Sequence, residues 1–325
     1  MRAITINEFG GPQVLTETEL PEPRPGPGQL TIDTTHAAVG LIDVFFRRGD
    51  LAGRPGMPQP PLVPGLEAAG RVRALGPGVS GFQVGEPVVT LSQMSLGGYA
   101  SVTLADVAMT ISLKGSGVDP AQAVSALPNA TTAYLALTEV AHLKEGESVL
   151  VHGVAGGLAA TFPAVARSLG ASRVFGTVSS RARIKDTEHL GLDEVFTSDQ
   201  FVKDLDGRLV DVVVDPVGGE VRTASLDVLA QLGRILLVGH AARIPDTPLT
   251  GDDLWHRNAG MLGFAVGPYL AAHSDAARPA AEKVVDLLAR GELTLRVEEL
   301  PLSQAAEAHR RLEAREVSGR LVLTL

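Results

Sequence analysis

The residues of this chain best suited to chemistry lie in the stretch Val149-Leu150-Val151-His152-Gly153-Val154-Ala155-Gly156-Gly157-Leu158-Ala159. An aliphatic, β-branched run feeds directly into a glycine-rich turn. An amphipathic stretch follows, with Leu158, Phe162, Val165, Ala166 and Leu169 at helical spacing. Strand, tight turn and helix in that order are what a dinucleotide-binding βαβ unit requires. Gly153 lets the chain turn sharply, and Gly156 leaves no side chain between the backbone and a pyrophosphate. Ala159 stands where a third glycine would bring the helix close to the sheet. The N–H groups at the helix start would then face a doubly charged ligand. Glycine-rich turns also occur without any nucleotide, so the flanking residues decide.

The next strand ends Gly176-Thr177-Val178-Ser179-Ser180-Arg181-Ala182-Arg183-Ile184-Lys185, and no carboxylate follows until Asp186. A site for NAD places Asp or Glu here to grip the ribose hydroxyls. A 2′-phosphate instead needs hydrogen-bond donors and positive charge, and Arg supplies both in a forked geometry. Ser179, Ser180, Arg181 and Arg183 therefore point to NADPH, with Arg183 favoured. The bland alternative is a solvated helix start. Other polar groups carry two readings each. Asn129 hydrogen-bonds a substrate or caps a helix, and Thr131 and Thr132 stand beside it, just before a helix. Tyr99 lines a pocket with a free phenol or packs in a core. His152 touches cofactor or packs, and His309, on an amphipathic stretch, is structural. Pro163 falls inside the helix after the glycine turn and should kink it.

Composition bounds the alternatives. The chain has 325 residues, 45% of them hydrophobic, which suggests about two domains with substantial cores. A net charge of −9 without a basic cluster argues against a nucleic-acid surface. Cysteine is absent, which excludes disulfides, thiolate zinc sites and cysteine nucleophiles. Met1-Arg2-Ala3-Ile4-Thr5-Ile6 reads as a strand and not as a signal peptide. No uninterrupted apolar run is long enough to span a membrane, and the expectation is a soluble cytoplasmic protein.

These groups must be held by two kinds of architecture. Residues 1 to about 110 carry short alternating runs broken by Pro and Gly, with Pro21–Gly28 as a stiff connector. Leu30–Ala38 alternates like a strand, and turns follow at Leu75–Val79 and Phe82–Pro87. The character changes near Asp119-Pro120. Strands are expected at 148–152, 173–178, 211–215 and 233–238 with helices between them, which predicts a parallel sheet covered on both faces. A helix over 279–290, short strands near 294–300 and 320–325, and a helix over 303–314 complete a tail too small to form a domain alone.

Taken end to end, the chain resembles the medium-chain dehydrogenase/reductase superfamily, in its zinc-free branch of quinone oxidoreductases and enoyl reductases. The resemblance rests on Pro64-Gly65-Leu66-Glu67-Ala68-Ala69-Gly70, Leu75-Gly76-Pro77-Gly78-Val79, Gly98-Tyr99-Ala100 and Thr132-Ala133-Tyr134. It rests as well on Asp211-Val212-Val213-Val214-Asp215-Pro216-Val217-Gly218-Gly219, Ala308–Glu313 and Ser318–Leu323. It implies an α/β fold: a GroES-like β-rich catalytic domain from 1–119 and 266–325, with a Rossmann domain, 120–265, inserted between its parts. The active site is expected in the cleft between them. The cofactor contacts it implies are Thr132, Gly153, Ala155, Gly156, Gly157, Leu158, Ser179, Ser180, Arg181, Arg183, Val238, Gly239 and Phe264.

The departures from that family concern the substrate end. Gly40 stands near the first zinc-ligand position of the metal-dependent relatives, and Leu66-Glu67 replaces their His-Glu pair, so no metal is expected and Glu67 reads as structural. Against the Gly-Val-Asn-Phe-x-Asp pattern of quinone reductases, Gly40 replaces the Asn, Phe45 the first Tyr and Leu51 the second. The pocket candidates are Gly40, Leu41, Phe45, Phe46, Leu51, Tyr99 and Asn129, and no catalytic acid is assigned. The expected partner is a small hydrophobic carbonyl or quinone, reduced by hydride transfer from NADPH. The competing readings are a non-redox cyclase or isomerase on the same fold and a non-catalytic nucleotide-binding protein. Ala259–Val266 is an apolar edge-strand candidate for a homodimer.

Overall fold

Alternating apolar positions in the N-terminal part and the tail build one sheet, and near-continuous apolar runs in the middle build another. The computed structural model describes residues 1–54, 56–91, 96–245 and 248–325. The chain forms two compact units, Met1–Pro128 with His273–Gly291 and Leu295–Leu325, and Asn129–Ala272 with Glu292–Thr294.

In the first unit, β1 (Arg2–Ile6) and β2 (Leu15–Glu19) form an antiparallel pair. The larger sheet takes β3 (Gln29–Val39), β4 (Ala68–Leu75), β5 (Pro87–Thr90), β6 (Val102–Asp106) and β7 (Thr110–Ser112). Helix α1 (Leu41–Arg48) follows β3 directly. The second unit holds β8 (Ser148–Val151), β9 (Arg173–Val178), β10 (Glu194–Thr197), β11 (Val210–Asp215), β12 (Leu229–Leu237) and β13 (Gly260–Gly263). They form one parallel sheet in the order β10-β9-β8-β11-β12-β13, the doubly wound arrangement of a Rossmann domain. Strand β10 is short and half polar, which is why its sequence carries no clear strand signal. In the tail, β14 (Val297–Pro301) pairs with β15 (Arg320–Thr324), and β15 lies antiparallel to β3 with Leu321 opposite Val39 and Leu323 opposite Ala37. That register sends Ala37, Val39, Leu321 and Leu323 into one core with Ile4, Ile6 and Tyr99. The tail thus completes the N-terminal sheet.

Two local expectations are corrected. Helix α2 (Pro120–Leu135) begins well before Asn129, capped by Asp119, whose carboxylate accepts from Ala121 N–H at 2.9 Å and Gln122 N–H at 3.1 Å. Asn129, Thr131 and Thr132 therefore lie inside a helix, and Asn129 caps nothing. The two compact units divide within this helix, at Pro128/Asn129. Pro163 does not kink a helix. A 3₁₀ turn, Ala159–Thr161, intervenes, and Pro163 stands in the first turn of α3 (Phe162–Ser168). There the backbone N–H that Pro lacks has no intrahelical partner to lose.

Candidate cofactor site

Parallel strands deliver their following loops to one edge, so the C-terminal ends of β8, β9, β11, β12 and β13 bring the expected cofactor residues of the second unit together. Neighbouring β8 and β11 mark the point where the strand order reverses. After β8, Gly153 takes a left-handed φ of +61°. An added Cβ there would also stand 3.1 Å from Val217 Cγ2. At Gly156 an added Cβ would meet Gly153 O at 3.2 Å, the carbonyl that accepts from Gly156 N–H at 2.8 Å. This turn needs glycine to close on itself. Its crest is open, with Gly156 exposed and Gly157 and Leu158 half-buried, whereas Ala155 and Ala159 pack inward. Asn129 Nδ2 donates to Gly157 O at 3.3 Å and so ties α2 to the crest.

The loop after β11 is built around a buried carboxylate. Asp215 Oδ1 accepts from Val217 and Gly218 N–H, each at 2.8 Å, and Oδ2 accepts from Arg222 Nε at 2.5 Å. Arg222, on α5 (Glu220–Ala224), also donates to Gly239 O at 2.9 Å. Val238 N–H reaches Asp215 O at 3.0 Å, and an added Cβ on Gly239 would meet Pro216 O at 2.9 Å. One ion pair thus locks the ends of β11 and β12. Sequence reasoning missed Arg222. Its signal was a cation seven residues after an Asp that ends an apolar strand.

At the ribose end, Ser179, Ser180 and Arg181 are exposed, and Ser180 starts the 3₁₀ helix Arg181–Leu190. Arg183 Nε lies 3.5 Å from Asp186 Oδ2, with the two side chains 26% and 13% exposed. Asp186, the first carboxylate after β9, is therefore an ion-pair partner of the favoured Arg. Asp199 is held below the usual carboxylate range by hydrogen bonds from Thr197 and Gln200, with Arg181 a smaller contributor. Thr132 and Phe264 are nearly buried, and Phe264 packs against Tyr269 with ring centroids 5.3 Å apart.

In the first unit, α1 divides the expected pocket residues between two faces. Leu41 and Ile42 are exposed and Phe45 half-buried, whereas Phe46 is buried with Asp43, Val44 and Arg47. Phe46 is a core residue. So is Tyr99, which has no free phenol. It is wholly buried and its hydroxyl pairs with His309 Nε2 at 3.2 Å, because the strand register turns it into the β1–β3–β15 core. Gly40 N–H donates to Asp43 Oδ2 at 2.8 Å, and burial pushes the Asp43 carboxyl up to about 7. Glu67 is held by Arg320 in a close ion pair, and burial raises its carboxyl as well.

Two family models cover most of the chain: an alcohol dehydrogenase GroES-like domain over residues 26–117 and a zinc-binding dehydrogenase over 190–323. The chain is 31% identical over 330 residues to the 2-haloacrylate reductase of a Burkholderia species, covering 99% of this chain and 98% of that one. The chain belongs to the medium-chain dehydrogenase/reductase superfamily, in its quinone oxidoreductase-like branch. It is also 33% identical over 255 residues to a quinone oxidoreductase of Lama guanicoe, 76% of each chain. A mycobacterial protein solved in complex with NADPH superposes over 100% of both chains with a TM-score of 0.87 at 33% identity.

Within this superfamily the two ends of the molecule differ in kind. The second unit fits a dinucleotide: an open glycine crest at the switch point, and hydroxyls and guanidinium groups exposed beyond β9. The first unit does not fit the superfamily's zinc. The chain has no Cys, Gly40 offers no ligand, and Arg320 occupies the Glu67 carboxylate. Among the described residues no three His, Cys, Asp or Glu side chains converge as a metal set. No described helix is long and apolar enough to cross a membrane.

Proposed function

We propose that this protein is an NADPH-dependent, metal-independent reductase of a quinone or of a C=C bond conjugated to a carbonyl. The observation that carries the reading is the second unit's C-terminal edge, where a phosphate-type glycine turn at β8 is joined by an exposed Ser-Ser-Arg segment at β9 with no acid in the ribose position. Backbone N–H groups at the crest of the turn, Gly157 and Leu158, would hold the pyrophosphate, and Arg181 and Arg183 the 2′-phosphate. Bound NADPH supplies the hydride, and with it both electrons of the reduction. Thr132, by family resemblance, would orient the nicotinamide. The apolar face of α1, with Leu41, Ile42 and Phe45, would hold the substrate by burial and exclude water from it.

The names of the relatives support this substrate class, since a quinone and a 2-haloacrylate each present a C=C bond conjugated to an electron-withdrawing group. The test is oxidation of NADPH by purified protein against a panel of enones and quinones. Turnover with apolar members is expected. Tight NADPH binding without turnover of any of them would favour a non-redox reaction on the same fold.

We also propose a homodimer. Strand β13 pairs with β12 on one side and ends the sheet, and the exposed Leu232 and Trp255 give the unit's surface apolar contact area. Light scattering should give twice the 33.9 kDa chain mass. The monomer mass at micromolar concentration would contradict it.

A further inference from the structure

His152 follows β8 immediately and is wholly buried, yet every polar atom of its ring is engaged. Its Nε2 lies 2.8 Å from Ser225 Oγ and its Nδ1 2.9 Å from Thr177 Oγ1. The direction of these bonds can be worked out. Ser225 spends its single hydroxyl proton on Val221 O at 2.8 Å, so towards His152 it accepts. Nε2 therefore carries the ring proton, Nδ1 is the acceptor, and Thr177 donates its hydroxyl proton to it. The Thr177 oxygen then presents a lone pair to Gly153 N–H at 3.4 Å. A chain of oriented bonds thus runs from the glycine turn through β9 and His152 to the helical segment after β11. Phe201 closes the ring's edge at 5.0 Å between centroids.

We propose that His152 is the positioning residue of the cofactor turn: as the neutral Nε2–H tautomer it fixes Gly153 through Thr177 and couples the turn to β9 and to the helical segment after β11. The charged group facing it from β11 is Asp215, itself paired with Arg222. Burial lowers the ring to about 4, and Asp215 opposes that shift more weakly, which agrees with a neutral imidazole. His152 touches no reacting atom in this role. It acts through Thr177 and the backbone of the turn, which any dinucleotide would use. The inference rests on the proposed cofactor reading.

Two measurements test it. Nitrogen NMR of the intact protein should show His152 protonated at Nε2 and bare at Nδ1 from about pH 5 to about pH 8. An Nδ1–H tautomer or a charged ring at neutral pH would overturn the bond directions and with them the proposal. In binding experiments, Thr177→Val and Ser225→Ala should each weaken NADPH and NADH together, by about threefold to tenfold, the value of one lost hydrogen bond. Unchanged affinities in folded variants, or a loss confined to NADPH, would overturn the positioning role. A wild-type preference for NADH would instead sink the 2′-phosphate reading and leave His152 where it is. If the variants do not fold, the tautomer measurement on the native chain still decides.

Discussion

Replacing Arg183 with Ala should weaken NADPH binding and leave NADH almost untouched, and the ion pair with Asp186 fixes how large the effect can be. A charge-assisted hydrogen bond to phosphate contributes roughly 1.5–3 kcal/mol. In the free protein, however, the Arg183 guanidinium already lies 3.5 Å from Asp186, and the pair is partly exposed. Such pairs are worth about 0.2–1 kcal/mol, and this much is given up when the phosphate takes the guanidinium. The net loss on truncation is therefore about 0.5–2.8 kcal/mol, or roughly twofold to 100-fold in Kd. Asp186→Asn should act in the opposite direction. It removes the competitor for Arg183 and a like charge near the phosphate, so NADPH should tighten by a few fold. Titration calorimetry with NADPH and NADH on the native protein and both variants measures all six affinities. High salt should shrink the NADPH differences, because exposed charges are screened. Equal weakening of both cofactors by Arg183→Ala would refute the reasoning. So would an Asp186→Asn variant that binds NADPH as poorly as Arg183→Ala.

Asp215→Asn leaves buried Arg222 without its counter-ion and should cost about 3–5 kcal/mol of stability. Urea unfolding should follow far-UV circular dichroism, because the single tryptophan, Trp255, is 71% exposed and reports little of the core. A loss below about 1 kcal/mol would count against the clamp. Asp43, raised from 3.8 to about 7, takes up a proton on folding, so its stabilising contribution is full below its ordinary value and is lost as pH rises through about 7. Asp43→Asn should therefore gain on the native protein by a few kcal/mol, in order of magnitude, between about pH 4 and about pH 8, and a pH-independent difference would refute the burial argument. Gly40→Asn with Phe45→Tyr should shift kcat/KM towards small quinones. The Gly40 backbone is extended and an added Cβ would sit 3.3 Å from Asp43 Oδ2, a tight but open position, so failure of a folded variant to change preference would remove α1 from the pocket. Elemental analysis should find no stoichiometric zinc, and one zinc per chain would overturn the metal-independent reading.

What the sequence made legible was local. The turn at Gly153 and Gly156 and the strands β8, β9, β11 and β12 follow from glycine spacing and apolar runs that need no distant partner. What it hid depends on contacts far apart along the chain. Tyr99 reads as either a pocket phenol or a core residue until the register of β15 on β3 places it in a core and His309, 210 residues away, takes its hydroxyl. Phe45 and Phe46 are indistinguishable by type, and only the phase of α1 sends one outward and the other inward. Asn129 suits a helix start, yet the Asp119 cap sets the start nine residues earlier, at Pro120. Asp186 was visible as a carboxylate and its pairing with Arg183 was not, since 3₁₀ geometry brings i and i+3 side chains over one another.

The proposed cofactor groups of the second unit and the proposed substrate-holding face of α1 would select by different physics. In the second unit the loops are held by buried, directed bonds from Asp215 to Arg222 and from His152 to Thr177 and Ser225, with a half-buried bond from Asn129 to Gly157. These bonds position the turn for either dinucleotide, and the choice between the two cofactors would fall to Arg181 and Arg183, whose guanidinium groups a 2′-phosphate would pair. The outward face of α1 offers the apolar Leu41, Ile42 and Phe45. An apolar wall discriminates by about 0.8 kcal/mol per methylene, roughly fourfold, and cannot sharply reject a neighbour of similar size. On the proposed function, a protein built this way would be strict about its reductant and permissive about what it reduces. Under that reading bulk and conjugation would define the substrate, so apolar enones and quinones should outpace polar ones of equal size in the NADPH-oxidation panel, and the reverse order would refute the apolar wall.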